Sequence, residues 1–154
     1  MTDSDNHDWL AERALRTPDM PGLMFEGQTW TFAELHVAAV SIADGLRGVG
    51  VGPGIRPGDR VALLAGNRPA TVQAIHAVPR LGATLVPLNL RLTDDELTFQ
   101  IDVASPRLLL ADATNFELAE RVAAQSGVPV RLLDDVQDAG APSTEAVVPA
   151  PVPG

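Results

Sequence analysis

The chain has 154 residues, 45% of them hydrophobic, which is enough to bury one core. Its formal net charge of −9 disfavours nucleic acid and anionic lipid surfaces as partners. Cysteine is absent, which excludes disulfides and thiolate metal sites. The longest apolar runs fall short of the roughly 20 residues that cross a bilayer, and the first ten residues are acidic where a signal peptide would be basic. We therefore expect a cytoplasmic protein without a membrane span.

Lysine is also absent, because all eleven basic residues are arginine. This composition excludes a Gly-Lys-Ser/Thr phosphate loop and Schiff-base chemistry within the chain. No serine lies in a Gly-x-Ser-x-Gly elbow. Besides the threonines, the remaining candidates for a nucleophile or base are five serines and three histidines: Ser4, Ser41, Ser105, Ser126, Ser143, His7, His36 and His76. Since none of them completes a motif, we assign no catalytic, cofactor-binding or metal-binding residue.

The first third of the chain carries clear local signals. Asp8 is expected to cap a short helix that runs to Arg16, and two short β-prone pieces around Glu26-Gly27-Gln28 predict a hairpin. Thr31 and Glu34 have the spacing of a capping box, in which a hydroxyl and a carboxylate satisfy each other's free amides. The apolar residues that follow have helical spacing, which predicts a helix: Leu35, Ala38, Ala39, Ile42 and Leu46.

Six of the thirteen glycines lie between Gly45 and Gly58, together with two prolines, and this composition predicts a loop. A dinucleotide-binding loop is the alternative interpretation. It fails because no glycines here have the G-x-G-x-x-G spacing, and because the segment precedes a strand whereas that fingerprint follows one. We therefore interpret the segment as a connector.

Apolar runs alternate with amphipathic stretches from Arg60 onward. This pattern predicts an α/β fold, a mostly parallel sheet with helices on both faces. Residues 1–133 are expected to form this α/β portion, and residues 134–154 a Pro/Ala-rich mobile tail or linker. The predicted strands are 60–65, 83–88, 107–112 and 128–134, and the predicted helices are 69–81, 93–104 and 115–127. Pro79 should kink the first of these helices or tighten its last turn.

Polar residues follow the first two strands of this repeat, where ligands approach a parallel sheet. Asn67, Arg68, Asn89 and Arg91 could contact an anion or a substrate there. Local structural tasks are also available to each of them, and we favour these. Asn67 would cap the helix that begins at Pro69, and Arg91 would pair with Asp94 or Asp95.

Thr93 and Glu96 form a second predicted capping box. The histidines have similar alternatives. His76, on an apolar helix, is interpreted as a packed side chain bonded to backbone rather than a base, while His36 and His7 are expected to be solvated.

Two long segments resemble the N-terminal part of the adenylate-forming, AMP-binding acyl-CoA synthetase superfamily. They are "WLAERALRTPDMPGLMFEGQTWTFAEL" and "GDRVALLAGNRPATVQAIHAVPRLGATLVPLNLRLTDDEL", residues 9–35 and 58–97. Their most specific elements are Thr-Phe-Ala-Glu-Leu and Leu-Gly-Ala-x-x-Val-Pro-Leu-Asn, and the resemblance extends over residues 9–133. Within the superfamily, "AIHA", "LN" before "RL", and "FQ" resemble the o-succinylbenzoate-CoA ligases of menaquinone synthesis more than the fatty-acid enzymes.

The resemblance implies a fold, an incomplete N-terminal subdomain of the adenylate-forming ligases, and a reaction. In that family a carboxylic acid reacts with ATP and Mg²⁺ to form an acyl-adenylate, and coenzyme A displaces AMP. The family's phosphate loop, metal-binding Glu and catalytic Lys have no counterpart in this chain. The resemblance therefore implies a fragment that is inactive alone and binds none of these cofactors tightly. Two features depart from the family, the length of the Gly45–Gly58 loop and Pro79.

Two functional hypotheses remain at this point. The first is the N-terminal segment of an ATP-dependent ligase acting on o-succinylbenzoate, a fatty acid or another carboxylic acid. The second is a stand-alone, non-catalytic α/β binding domain. If sheet strands are missing, an unpaired edge should promote self-association.

Overall fold

The computed structural model describes residues 8–48 and 54–140. Helices α1 and α2 flank a hairpin, and four further strands then alternate with helices. In chain order the elements are α1 (Trp9–Arg16), β1 (Pro21–Phe25), β2 (Gln28–Thr31), α2 (Phe32–Leu46), β3 (Arg60–Leu64), α3 (Pro69–Arg80), β4 (Thr84–Pro87), α4 (Asp94–Ala104), β5 (Leu108–Ala111), α5 (Phe116–Ala123), β6 (Val130–Leu132) and α6 (Leu133–Gly140). A short 3₁₀ helix, Ala113–Asn115, precedes α5.

The main sheet has four parallel strands in the order β4-β3-β5-β6. Val61 in β3 pairs with Leu85 in β4 and with Leu108 in β5, so the strand ends are level with one another. Buried apolar strands joined through helices adopt parallel pairing because each crossover returns the chain to the same end of the sheet. The predicted parallel α/β fold is confirmed.

Side chains of β3 alternate between two core layers, as the period of a strand requires. Val61 and Leu63 pack with α1, α2, α3 and α6, whereas Ala62 and Leu64 pack with α4 and α5. All four side chains are at most 3% exposed. Helices therefore cover both faces of the sheet, as predicted.

The local capping signals are present as expected. Asp8 accepts a 2.9 Å hydrogen bond from the amide of Ala11 at the start of α1. At the start of α2, Thr31 Oγ1 accepts from the Glu34 amide at 3.2 Å, and the Glu34 carboxylate accepts from the Thr31 amide at 3.0 Å. Thr93 and Glu96 repeat this capping box at α4.

The predicted hairpin is also confirmed, as a separate two-stranded antiparallel sheet of β1 and β2. Glu26 and Gly27, the two residues at its turn, have φ angles of 49° and 78°. Two consecutive positive φ angles match the right-handed twist of the flanking strands.

The prediction of a mobile tail from residue 134 is wrong for its first seven residues. Leu133–Gly140 form helix α6, whose side chains Leu133 and Val136 are buried in the layer that contains α2. The remaining tail residues, 141–154, lie outside the described part of the chain. The α/β portion therefore extends at least to Gly140.

Two predictions about helix ends have different outcomes. Pro79 lies inside α3, and the amides of Leu81 and Gly82 bond three residues back, to Val78 and Pro79, which is the expected tightened last turn. The predicted loop start at Gly45 is wrong, because α2 continues through Gly45 to Leu46. Residues 49–53 of that loop lie outside the described residues.

No helix in residues 8–48 or 54–140 has the length and apolar character needed to cross a membrane.

Candidate functional site

The loops that follow β3 and β5 meet at the carboxyl edge of the sheet. Leu64 and Ala111 are paired in the parallel register, so the residues that follow each strand leave at the same level. This edge is where parallel sheets present ligand-binding groups.

Asp112 joins the two loops. Its side chain is buried, with 7% exposure, and its Oδ2 accepts a 2.8 Å hydrogen bond from the amide of Gly66. Its Oδ1 accepts from the Asn115 amide at 3.0 Å and from Asn115 Nδ2 at 2.6 Å. Asp112 therefore caps the 3₁₀ helix. It also holds the loop after β3 through Gly66, which lies 46 positions earlier in the sequence.

Arg68 lies beside this carboxylate and is half exposed. Its Nη2 donates a 2.8 Å hydrogen bond to Thr114 Oγ1, and its Nε is 3.6 Å from Asp112 Oδ2. These contacts tie the guanidinium to the loop that follows β5. Four residues were predicted from the sequence to lie at this edge. Among them, Arg68 is the one whose side chain contacts polar side chains of the loop after β5.

The prediction that Asn67 caps α3 is wrong. Arg68 occupies the N-cap position with extended backbone, φ −137° and ψ 161°, and donates or accepts no side-chain capping bond. Pro69 at the first helical position imposes this geometry because the residue before a proline avoids the helical region. Asn67 is exposed, and Thr71 Oγ1 instead donates to the carbonyl of Gly66 at 2.6 Å.

Asn89 and Arg91 follow β4 on the same edge, and their hydrogen bonds stay within one turn. Asn89 Oδ1 accepts a 2.9 Å bond from the Arg91 amide. The prediction that Arg91 pairs with Asp94 is wrong, because Asp94 pairs with Arg121 of α5, with Arg121 Nη2 3.3 Å from Asp94 Oδ1. Pairing of Arg91 with Asp95, the other predicted partner, stays a prediction. That hydrogen bond from Arg121 lowers the pKa of Asp94.

The two described histidines lie away from this edge. His76 lies in α3, seven residues or about 10 Å along the helix axis from Pro69. His36 lies in α2, beside Arg80 at the end of α3. The His76 ring stacks on Trp9, with centroids 6.1 Å apart, so the prediction that His76 is packed is confirmed. His76 therefore packs against α1. Its predicted hydrogen bond to backbone stays a prediction.

His36 was expected to be solvated, and this prediction is wrong. It is half buried, and its Nδ1 is 3.2 Å from Nη1 of Arg80, which also pairs with Asp8 at 2.6 Å. Burial and then the Arg80 charge lower the pKa of His36. Burial also lowers the pKa of His76, partly opposed by Asp8. His7 lies outside the described residues.

The edge opens into two cavities of about 1020 and 620 Å³, both bordered by Gln28, Trp30, Arg68 and Pro69. Within residues 8–48 and 54–140, no group of three or more His, Asp or Glu side chains could hold a metal ion.

The sequence interpretation missed Asp112 and Thr114. A buried strand ending in Asp, "RLLLAD", was the available signal.

Comparisons with known proteins give a consistent result. The family profile described as AMP-binding enzyme matches residues 10–153. The chain is 38% identical over 109 residues to a 2-succinylbenzoate–CoA ligase of Bacillus velezensis, covering 71% of this chain and 22% of the ligase. It thus spans less than a quarter of the length of that curated relative.

Solved structures show the same similarity. The chain resembles the o-succinylbenzoate coenzyme A synthetase of Bacillus subtilis in complex with ATP and magnesium, with a TM-score of 0.72 and 35% identity. That match covers 84% of this chain and 33% of the synthetase. The structure of the same synthetase in complex with the acyl-adenylate intermediate matches this chain with a TM-score of 0.73 and 34% identity. That match covers 85% of this chain and 25% of the synthetase chain.

Proposed function

The chain belongs to the AMP-binding enzyme family, and on that basis we propose that it forms the N-terminal part of an ATP-dependent acyl-CoA ligase. Membership of the family confirms the resemblance seen in the sequence. The proposed acid is o-succinylbenzoate, supported by the identity to 2-succinylbenzoate–CoA ligases. The proposed location is the cytoplasm.

The proposed reaction of the complete enzyme has two steps. A carboxylate oxygen attacks the α-phosphate of ATP, which forms an acyl-adenylate and releases pyrophosphate. The thiol of coenzyme A then attacks the acyl carbon, and AMP leaves. Bringing an anionic carboxylate to an anionic phosphate needs positioned cationic groups, since like charges repel.

The described residues do not fit a metal–triphosphate complex on their own. Lysine is absent from the whole chain, and the described residues hold no cluster of metal-ligating side chains. The half-exposed Arg68 at the carboxyl edge already contacts Asp112 and Thr114. We therefore derive no catalytic step from these side chains and propose that the reactive groups lie outside this sequence.

The observation that carries the proposal is the pattern of coverage. The match to the solved synthetase includes 84% of this chain but only 33% of the synthetase. A chain that supplies the scaffold without the phosphate-binding groups should be inactive alone.

Trapping with hydroxylamine tests the proposed inactivity. The isolated chain, incubated with ATP, Mg²⁺, o-succinylbenzoate and hydroxylamine, should give no hydroxamate above background, while the Bacillus subtilis synthetase serves as the positive control. Hydroxamate formation by the isolated chain would overturn the assignment of the reactive groups to other sequence.

The DNA after codon 154 tests the assignment to a ligase. A phosphate loop containing Lys, encoded in one of the reading frames, is the expected result. Its absence would favour the alternative of a stand-alone binding domain.

A further inference from the structure

Helix α4 is apolar on two opposite sides. Leu97 and Ile101 have 0% exposure and pack in the core layer that α4 shares with α5. Phe99 and Val103 lie on the other side of the helix, where they are 68% and 67% exposed. Their spacing of four residues places the two side chains next to each other. A helix that is apolar on all sides is normally covered on all sides, so this outer face of α4 has the composition of an interface.

The neighbouring helix α5 contacts a different flank of α4. Thr98 Oγ1 donates a 3.4 Å hydrogen bond to the carbonyl oxygen of Val122 in α5, and the ion pair between the two helices lies one turn earlier on that flank. Phe99 and Val103 belong to neither core cluster of the described residues. Packing within the described chain therefore leaves the outer face of α4 open.

The surface around this apolar pair is strongly acidic. The exposed charged residues of α4 and α5 comprise six acids and one arginine: Asp94, Asp95, Glu96, Asp102, Glu117, Glu120 and Arg121. These two helices thus contribute five of the nine net negative charges of the chain. Their arginine is already paired with Asp94. The last turn of α4 also holds no basic residue that would offset the negative end of the helix dipole.

We propose that the outer face of α4 binds a basic amphipathic helix of a partner protein. The apolar side chains of such a helix cover Phe99 and Val103. Its lysines or arginines meet Asp95 and Asp102, which lie within one turn of Phe99 on the same side of α4. A second copy of this chain is a poorer occupant, because two acidic faces repel each other. The proposal does not rest on the proposed function, and the face lies on the side of the sheet opposite α2.

A labelled peptide tests the proposal. The probe is a fluorescent peptide of about 15 leucine and lysine residues arranged with the period of an amphipathic helix, and the comparison peptide has glutamate in place of lysine. Fluorescence anisotropy should show binding of the lysine peptide and not of the glutamate peptide. We expect the double variant Phe99→Ser, Val103→Ser to weaken binding about tenfold or more. Met24→Ser, at a 74% exposed apolar position in β1, is the matched control and should bind like wild type.

Charge variants test the acidic part of the same face. Asp95→Asn with Asp102→Asn should weaken binding and make it less sensitive to salt, since two of the charges that attract the peptide are removed. Asp134→Asn with Asp135→Asn makes the same change in net charge at exposed positions of α6 and should have a smaller effect. These variants also keep the proposal testable if the double serine variant does not fold, which circular dichroism checks.

Four results would overturn the docking proposal. The first is no binding of the lysine peptide by the wild-type chain. The second is equal affinity of wild type and the folded double serine variant. The third is an equal loss of affinity from the α4 and α6 charge variants, which would attribute binding to overall net charge. The fourth is a dimer of the chain that the serine substitutions dissociate, which would make a second copy the occupant.

Discussion

Gly45 of α2 lies directly against the main chain of Val136 in α6. A Cβ atom built on Gly45 would be 2.0 Å from the carbonyl oxygen of Val136, and one built on Gly140 would be 1.8 Å from that of Ser41. Both obstacles are backbone atoms, which cannot move without shifting a helix. These two glycines therefore allow α6 to pack on α2.

Replacing Gly45 with alanine should destabilise the protein. In an unpacked helix the substitution would be favourable by about 1 kcal/mol, because alanine has the higher helix propensity. Here the steric conflict with Val136 should dominate, and we expect a net loss of about 1–2 kcal/mol in the free energy of unfolding. Urea denaturation measures the change. Gly66→Ala is the control, because its Cβ would meet only Asp112 Oδ2 at an ordinary 3.6 Å. Equal stability of wild type and Gly45→Ala would contradict the close packing of α6.

Acidification should destabilise the fold through the two half-buried histidines. Burial lowers the pKa of His36 and His76 below 6.5, so the unfolded chain binds more protons than the folded one as the pH falls below that value. Stability is therefore retained above the unfolded pKa and lost as the pH falls towards the folded pKa. Urea denaturation at pH 7 and at about 5.5 should show this loss. The double variant His36→Gln, His76→Gln should lose less stability over the same interval; a loss equal to that of wild type would assign the effect to other groups.

Sequence patterns predicted those features whose partners are close in the chain. The capping boxes at Thr31 and Thr93 depend on a residue three positions away, so their spacing was sufficient. The parallel sheet also followed from pattern, because its strands are continuous apolar runs.

Contacts between distant residues could not be obtained in this way. Asp94 pairs with Arg121, 27 positions away, rather than with the nearby Arg91, because α4 and α5 lie side by side on the sheet. Helix α6 was missed for the same reason. Its sequence has only two buried residues, Leu133 and Val136, and its packing depends on Gly45 in a helix about ninety residues earlier.

Asp112 should be a major stabilising residue of the carboxyl edge. Asp112→Ala removes the side-chain acceptor of the part-buried Gly66 amide. It also removes the side-chain acceptor of Asn115, whose amide keeps only its 3.2 Å bond to the backbone carbonyl of residue 112. The expected loss is about 2 kcal/mol in the free energy of unfolding. Asp112→Asn keeps one acceptor oxygen and should lose less. Glu120→Ala, on the exposed face of α5, is the control and should change the free energy by under about 0.5 kcal/mol. If Asp112→Ala matched this control, the two loops would have to be held by other contacts.

The edges of the sheet should make the isolated chain self-associate. Strands β4 and β6 each have one hydrogen-bonded neighbour within the described sheet, so their outer backbone groups can pair with another chain. Sedimentation velocity over a wide concentration range should show species larger than the monomer. Thr84→Lys places a charge at an exposed position of β4 and should shift the distribution towards monomer, whereas Gln100→Lys, which adds the same charge on α4, should not. A monomer at every concentration would contradict the prediction. An equal response to both substitutions would attribute the association to net charge rather than to strand pairing, because each variant changes the charge by one unit.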